Sequence, residues 1–222
     1  MVTYAAGDAT KERIKDAARN LFFEQGVTAV SDAAICRAAE VQRGLVSYHF
    51  GSHANLVAII YQEFVEQLRA TVSRRFPVED PMLSYCILEH LLLEVLYRND
   101  ALRRFYVGII QYPEVSDEEV RVQHEQFVEI LKSRSIPEES ERLKIAVTMS
   151  QGMFNETVRC IDTGYLSGDI NEIIDIDLML SMSLMNFASE YAEQMVGRTR
   201  EIVRGYRLAV GRSMRPRIIT AK

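Results

Sequence analysis

Apolar residues recur at helical spacing along almost the whole of this 222-residue chain. Ile14, Ala17, Ala18, Leu21 and Phe22 stand at i, i+3, i+4, i+7 and i+8, which places them on one stripe of a helix. Thr10 reads as the N-cap of that helix, because its hydroxyl accepts from an otherwise unpaired amide, and Gly26 reads as its stop. A short second helix over 32–39, capped by Ser31 or Asp32, buries Ala34, Ile35, Ala38 and Ala39. A third over 42–49 turns Leu45 and Val46 inward. Ser52 then caps a long helix with Leu56, Ile59, Ile60, Phe64 and Leu68 on one face, ending before Pro77. Beyond it the pattern predicts helices over 81–97, 100–111, 116–133, 138–164, 172–196 and 199–212. Pro81, Asn99-Asp100, Tyr112-Pro113, Ile136-Pro137 and the 164–169 segment divide them. No window carries the strict alternation or β-branched run of a sheet, so the expected fold class is all-α.

Composition adds little to this until charge is mapped by region. Apolar residues make up 48% and charged residues 26%, an ordinary globular balance. Residues 1–15 show no apolar run behind a basic segment, so no signal peptide is expected. The greasiest stretches, 87–96 and 178–188, are interrupted by Glu89, His90 and Glu94 or by Ser181, Ser183 and Asn186, and neither reads as a membrane span. A cytoplasmic location without membrane contact is therefore expected, and Cys36, Cys86 and Cys160 show no paired spacing that would suggest disulfides. The net charge of −5 argues against a nucleic-acid partner only until it is divided. Lys and Arg against Asp and Glu number nine to eight over 1–76, nine to twenty-two over 77–197 and eight to one over 198–222. Any DNA contact is expected in the first third or the basic tail, with the acidic middle turned away.

The two short helices over 32–39 and 42–49, joined by a tight turn, read as a helix-turn-helix, and the small residues Ala38 and Ala39 allow close approach. The second helix presents Gln42, Arg43, Ser47, Tyr48 and His49 outward, while Gly44 leaves no side chain to hold it off a groove. Arg is a bidentate partner for guanine and Gln for adenine, and Ser, Tyr and His reach phosphates. The run Val41-Gln42-Arg43-Gly44-Leu45-Val46-Ser47-Tyr48-His49-Phe50-Gly51-Ser52 resembles the recognition helix, Tyr-His-Phe and following cap of the TetR family of bacterial transcriptional regulators. Ala17-Ala18-Arg19-Asn20-Leu21-Phe22-Phe23-Glu24-Gln25-Gly26 resembles that family's first helix and closing glycine. The specific likeness covers residues 10–65; the remainder agrees in length and helical character.

The resemblance implies a helix-turn-helix DNA-binding domain over 1–55 and a helical ligand-binding and dimerisation domain over 56–222. It implies a repressor released from a palindromic operator in double-stranded DNA by a small-molecule inducer, with no catalytic activity, metal or cofactor. Base-edge contacts fall to Gln42, Arg43 and Gly44, and phosphate contacts to Ser31 or Asp32 and to Ser47, Tyr48 and His49, with His53 beside them. Glu40 stands where a turn glycine is common, Ser47 replaces a frequent tyrosine and His53 a common phosphate-contacting lysine.

A homodimer is expected, since paired recognition helices must reach successive major grooves about 34–36 Å apart. The family likeness assigns the interface to 138–164 and 172–196. There Ile145, Thr148, Met149, Gly152 and Phe154 face Leu178, Ser181, Met182, Met185 and Ala188 across the interface, unless both stripes pack within one subunit. For an apolar or amphipathic inducer the expected cavity residues are Tyr85, His90, Phe105, Tyr106, Ile109, Tyr112, Phe127, Met149, Met153, Asn155 and Arg159, with Leu88, Leu92 and Phe154. The tail, with Ile202, Tyr206, Ala209 and Val210 beneath arginines, reads as a last helix with a solvated basic face, or as a further DNA contact.

Other classes find less support. There is no P-loop, no GxGxxG after a strand, no His-Glu-x-x-His and no Cys-x-x-Cys, and the i, i+4 pair His49 and His53 lacks a third ligand nearby. A thiol-based redox regulator using Cys86 or Cys160 stays open, as does a helical protein-interaction module without a ligand, although the latter leaves the 42–49 face idle.

Overall fold

In the computed structural model, which describes residues 2–137 and 140–221, helix formation begins earlier than Thr10. The first helix, α1, spans Val2–Gln25, and Thr10 lies inside it. Ala5, Ala6 and Ala9 are strong helix formers and carry the helix past the single unfavourable Gly7. Gly26, at φ 82°, ends it, and a 3₁₀ turn (Val27–Ala29) follows. The helix-turn-helix comprises α2 (Asp32–Ala38) and α3 (Leu45–Phe50). Ser31 caps α2, its hydroxyl accepting from the Ala34 amide at 3.3 Å, and Ser52 caps α4 (His53–Arg75) through the Asn55 amide at 3.0 Å.

The second part of the chain wraps one central helix. α5 (Pro81–Arg98) buries Leu83, Tyr85, Cys86, Ile87, Leu91 and Leu93, which point to opposite sides of the helix, as a core helix must. Burying each such aliphatic or aromatic side chain contributes about 1.5–3 kcal/mol before chain entropy is counted. Around α5 stand α4, α6 (Asp100–Ile109), α7 (Pro113–Ser133), α8 (Ser140–Asp162), α9 (Ile170–Leu184) and α10 (Ser189–Val203). Among the described residues no helix is long and apolar enough to cross a membrane. The fold class is all-α, with one small exception.

Two expected elements differ. The single helix over 172–196 is two helices, because the chain turns at Met185–Ala188, where Asn186 takes the left-handed conformation at φ 68° and the Phe187 amide reaches back to the Met182 carbonyl. Asn tolerates that region better than most residues, since its short polar side chain bonds locally. The last helix expected over 199–212 ends at Val203. Gly205, at φ 78°, breaks it, and the chain closes as an antiparallel hairpin, β1 (Tyr206–Ala209) against β2 (Arg217–Thr220), with Tyr206 opposite Thr220. Gly205, Gly211 and Pro216 within twelve residues oppose a helix, and Leu208, Val210 and Met214 gain burial against the bundle. Tyr206 stacks edge-on with Phe76 at 5.5 Å and lies beneath the Arg75 guanidinium at 4.1 Å. The tail is thus a clasp on the bundle, and the stripe Ile202, Tyr206, Ala209 and Val210 does not exist as a helix face.

Candidate nucleic-acid interface and ligand cavity

The turn between α2 and α3 is set by backbone chemistry. The Val41 amide bonds the Cys36 carbonyl at 2.9 Å and the Glu40 amide bonds Arg37 at 3.2 Å, the paired bonds of a helix ending in a left-handed residue. That residue is Glu40, at φ 53°, a conformation costing a non-glycine about 1–2 kcal/mol. The Arg13 guanidinium of α1 braces it, donating to the Ala39 carbonyl at 2.9 Å and the Glu40 carbonyl at 2.8 Å. Gly44, at φ 91°, then caps α3, so its lack of a side chain answers a backbone need first. α3 begins at Leu45 rather than Gln42, and Gln42 and Arg43 therefore stand in the turn at its N-terminal end.

From this frame Val46 and Phe50 pack inward, while Gln42, Arg43, Ser47 and Tyr48 are exposed, Tyr48 by 79%. Among the described residues none hydrogen-bonds or ion-pairs with those four side chains. His49 is half-buried, edge-on to the Tyr48 ring at 4.9 Å. Ser31 uses its hydroxyl as the α2 cap. Asp32 and His53, both expected to face phosphates, instead face each other, with His53 Nδ1 2.6 Å from Asp32 Oδ1. The pair ties the start of α2 to the start of α4, and the His53 ring also meets Phe22 edge-on at 5.6 Å.

Behind this domain the sequence-expected cavity residues separate. Tyr85 and Tyr106 line a cavity of about 60 Å³ enclosed by α4 to α9, and Leu88, Leu92 and Phe154 line it with them. Asn155 stands at its edge, 2.7 Å from the Tyr106 hydroxyl. The others lie elsewhere. Phe105 stacks on Phe22 at 6.4 Å and Tyr112 tilts against His53 at 6.5 Å, both at the junction with α1 and α4. Ile109 is fully buried outside the cavity lining, Met153 is half-buried outside it, and Phe127 sits behind Tyr85. His90 is buried on the opposite side of α5, facing α10 and the hairpin. Met149 is 55% exposed, and Arg159 pairs with Glu156 at the surface, since both point away from the bundle on α8.

What the periodicity did not single out is the polar lining. Tyr61 and Arg69 of α4, Glu89 of α5, Glu119 and Gln123 of α7, Ser150 and Gln151 of α8 and Asp177 of α9 all face the cavity. Glu119 accepts from the Tyr61 hydroxyl and from Gln151 at 3.1 Å, and lies 3.1 Å from Tyr106. Gln123 donates to Ser150 at 3.2 Å, which pairs with Ser181 at 2.8 Å. Burial pushes the Glu89 carboxyl up to about 8 and Asp177 up to about 7, with their mutual repulsion adding to Glu89, and it raises Glu119. A cleft of about 190 Å³ between α4 and α7 shares Tyr61, Val65, Arg69, Glu119 and Val122 with the cavity and opens it toward the surface. A signal was present: Asp177 occupies a slot of the stripe Ile170, Ile174, Ser181, where an apolar residue is expected.

Of the two thiols singled out, Cys160 is half-buried beside Arg159 at 3.9 Å and Glu156 at 3.6 Å, whereas Cys86 lies in the core. Cys86 is buried, which pushes its thiol up to about 12, and a protonated thiol is a poor nucleophile. The expected dimer stripes also redistribute. On α8, Ile145 and Met149 are exposed by 52% and 55%, whereas Phe154 turns into the cavity. On α9 it is Ile176 and Leu180, at 52% and 47%, that face out, while Leu178, Ser181, Met182 and Met185 are buried because the core stripe runs through them.

Comparison with known proteins follows the same division. Residues 14–60 match the family model described as bacterial regulatory proteins, tetR family. Over 90 residues the chain is 32% identical to the HTH-type transcriptional regulator AcrR of Shigella flexneri, and the aligned stretch spans 39% of this chain and 40% of that protein. Among solved structures, RolR in complex with its ligand resorcinol superposes with a TM-score of 0.63 at 18% identity, covering 88% of this chain and 96% of that one. Full-length native tylp, a tetR regulator from Streptomyces fradiae, gives 0.52 at 20% identity over 86% and 97%. At such identities these structures speak for the fold, and the sequence match over the helix-turn-helix speaks for descent. Residues 14–60 thus match the segment that marks the tetR family of bacterial regulatory proteins, and the chain as a whole shares the fold of RolR and tylp.

Proposed function

We propose that this chain is a homodimeric, DNA-binding transcriptional repressor whose hold on its operator is set by a small molecule in the α4–α9 cavity. The observation that carries the reading is the turn before α3 together with that helix, where a locked backbone presents Gln42, Arg43, Ser47 and Tyr48 to solvent with no intramolecular hydrogen bond or ion pair on their side chains. Arg43 and Gln42 at the N-terminal end of a recognition helix suit base edges, while Ser47, Tyr48 and His49 suit phosphates. Ser31 adds its exposed position at the α2 start, whereas Asp32 and His53 support the domain from behind.

The dimer in this reading forms through α8 and α9, whose exposed pairs Ile145, Met149 and Ile176, Leu180 recur at i, i+4 and are too apolar to leave in water. α6 is the coupling element. Its Tyr106 faces the cavity, and its other side carries Phe105 against Phe22, Gly108 against Val27 and Arg104 donating to the Glu24 carbonyl at 3.0 Å. A ligand that moves Tyr106 therefore moves the floor of the helix-turn-helix domain. To weaken operator binding a hundredfold it must favour the displaced state by about 2.7 kcal/mol.

Selection of genomic fragments by the purified chain, followed by titration against salt, tests the reading. The expected outcome is a pseudo-palindromic site whose log affinity falls linearly with log salt. Weak binding indifferent to sequence would contradict it.

A further inference from the structure

We propose that the cavity is built for an organic cation: a compact head group bearing N–H donors, held by Asp177 and Glu89 beside Glu119, with an apolar body leading out past Val65 and Val122 into the α4–α7 cleft. This rests on the reading of the cavity as the ligand site and names what it takes.

Asp177 is only 6% exposed and Gln123 only 7%, yet Asp177 Oδ1 and Gln123 Oε1 have no hydrogen-bond partner, and both residues line the cavity. Both are acceptors. A buried acceptor left unmade costs about 1–3 kcal/mol, so two of them on one cavity wall call for a donor from outside the chain. Glu89 faces the same space and no described residue hydrogen-bonds to it. The remaining titratable groups on the wall are Tyr61 and Arg69 from α4, Tyr85 from α5, Tyr106 from α6 and Glu119 from α7; α8 contributes Ser150, Gln151 and Phe154, none of which ionises.

Charge then selects among donors. Three carboxyls outnumber the single guanidinium, and Arg69 lies at the mouth shared with the α4–α7 cleft, whereas Asp177 comes from α9 on the far wall. An anion entering past Arg69 would meet three acids in a low-dielectric space, and a neutral body without donors would leave Asp177 and Glu89 unpaired, Glu119 being already bonded to Tyr61, Tyr106 and Gln151. A cation ionises them instead. Because burial holds Asp177 near 7 and Glu89 near 8 in the empty cavity, cation binding releases protons, and affinity for a permanently charged ligand must rise with pH across that range. The aromatic rings of Tyr85 and Phe154 add faces on which such a head group is favoured.

The test uses the full-length protein and two shape-matched sets: benzamidinium, benzamide and benzoate, and phenethylammonium, phenethyl alcohol and phenylacetate. Affinity is read by calorimetry at pH 6.0 and 8.5. We expect the cation of at least one set to bind tenfold or more tighter than its neutral and anionic partners, with proton release and tighter binding at the higher pH. Asp177→Asn should remove most of the preference for the cation and the proton release that goes with it, and Glu89→Gln provides the same readout should the first variant fold poorly. Equal or stronger binding of the neutral or anionic partners, or no binding by either cation, overturns the inference. The wider reading fails separately, if Leu92→Trp, which fills the cavity, leaves operator affinity unchanged and no ligand of any charge alters it.

Discussion

The α2–α3 turn and the α4–α9 cavity use polar groups in opposite ways. At the turn, Gln42, Arg43, Ser47 and Tyr48 sit in water on a backbone fixed by Arg13, Gly44 and the Ser31 cap. Waiting costs them nothing, since water satisfies every donor and acceptor until a partner displaces it. In the cavity, Asp177 and Gln123 are buried with an acceptor unpaired, and waiting costs stability. The difference teaches what each site is suited to do. An exposed, pre-set face recognises a large partner without rearranging. An underpaired cavity gains from a ligand that completes its hydrogen bonds, and such a ligand shifts an equilibrium only by as much as it prefers one state.

The largest expected effect comes where the two regions meet. Phe22 is fully buried between Phe105 and His53, and Phe22→Ala should lower stability by about 3–5 kcal/mol in chemical denaturation. It should also uncouple ligand from operator binding; a loss below about 1 kcal/mol would mean that the domains do not share a core at this point. Next is the cavity's own penalty. A carboxyl with a higher pKa in the folded than in the unfolded chain holds its proton more tightly when folded, so its contribution is lost as pH rises between the two values. For Asp177 that window runs from 3.8 to about 7 and for Glu89 from 4.5 to about 8. The ligand-free protein should therefore become less stable from pH 5 to 8, and the melting temperature of Glu89→Gln should gain on that of the unsubstituted protein across the same range. Parallel curves would remove the contrast with the turn. The smallest effect belongs to the turn. Gly44→Ala meets no neighbouring atom, so it should cost only the left-handed backbone, about 1–2 kcal/mol, measured by thermal unfolding.

The same contrast decides how much could be read from the chain. Helices α1 to α8 and the helix-turn-helix were legible because Ile14, Ala18 and Phe22, or Leu56, Ile60 and Phe64, repeat at helical spacing and because Ser31, Ser52 and Gly26 punctuate them. The hairpin was not, because Tyr206 and Val210 also satisfy a helical stripe, and only Gly205, Gly211 and Pro216 speak against it. In the cavity, apolar and aromatic candidates were read from the pattern, and most proved to be core, since a buried stripe looks the same whether it faces a void or a neighbouring helix. Glu89, Glu119 and Asp177 each sit in an otherwise apolar stripe, but their convergence is tertiary, since it requires α5, α7 and α9 to face one space. Asp32 and His53 show the converse: two residues suited to phosphate lie 21 positions apart and find each other.

In the proposed function the turn before α3 reads DNA sequence. The most direct measurement is the affinity of the unsubstituted protein and of Arg43→Ala for the selected operator and for variants changed one base pair at a time, at fixed salt. The expected result is a loss of about 1–3 kcal/mol confined to one symmetric pair of positions, with discrimination there relaxed and intact elsewhere. Uniform weakening across all variants, or no change, would contradict it.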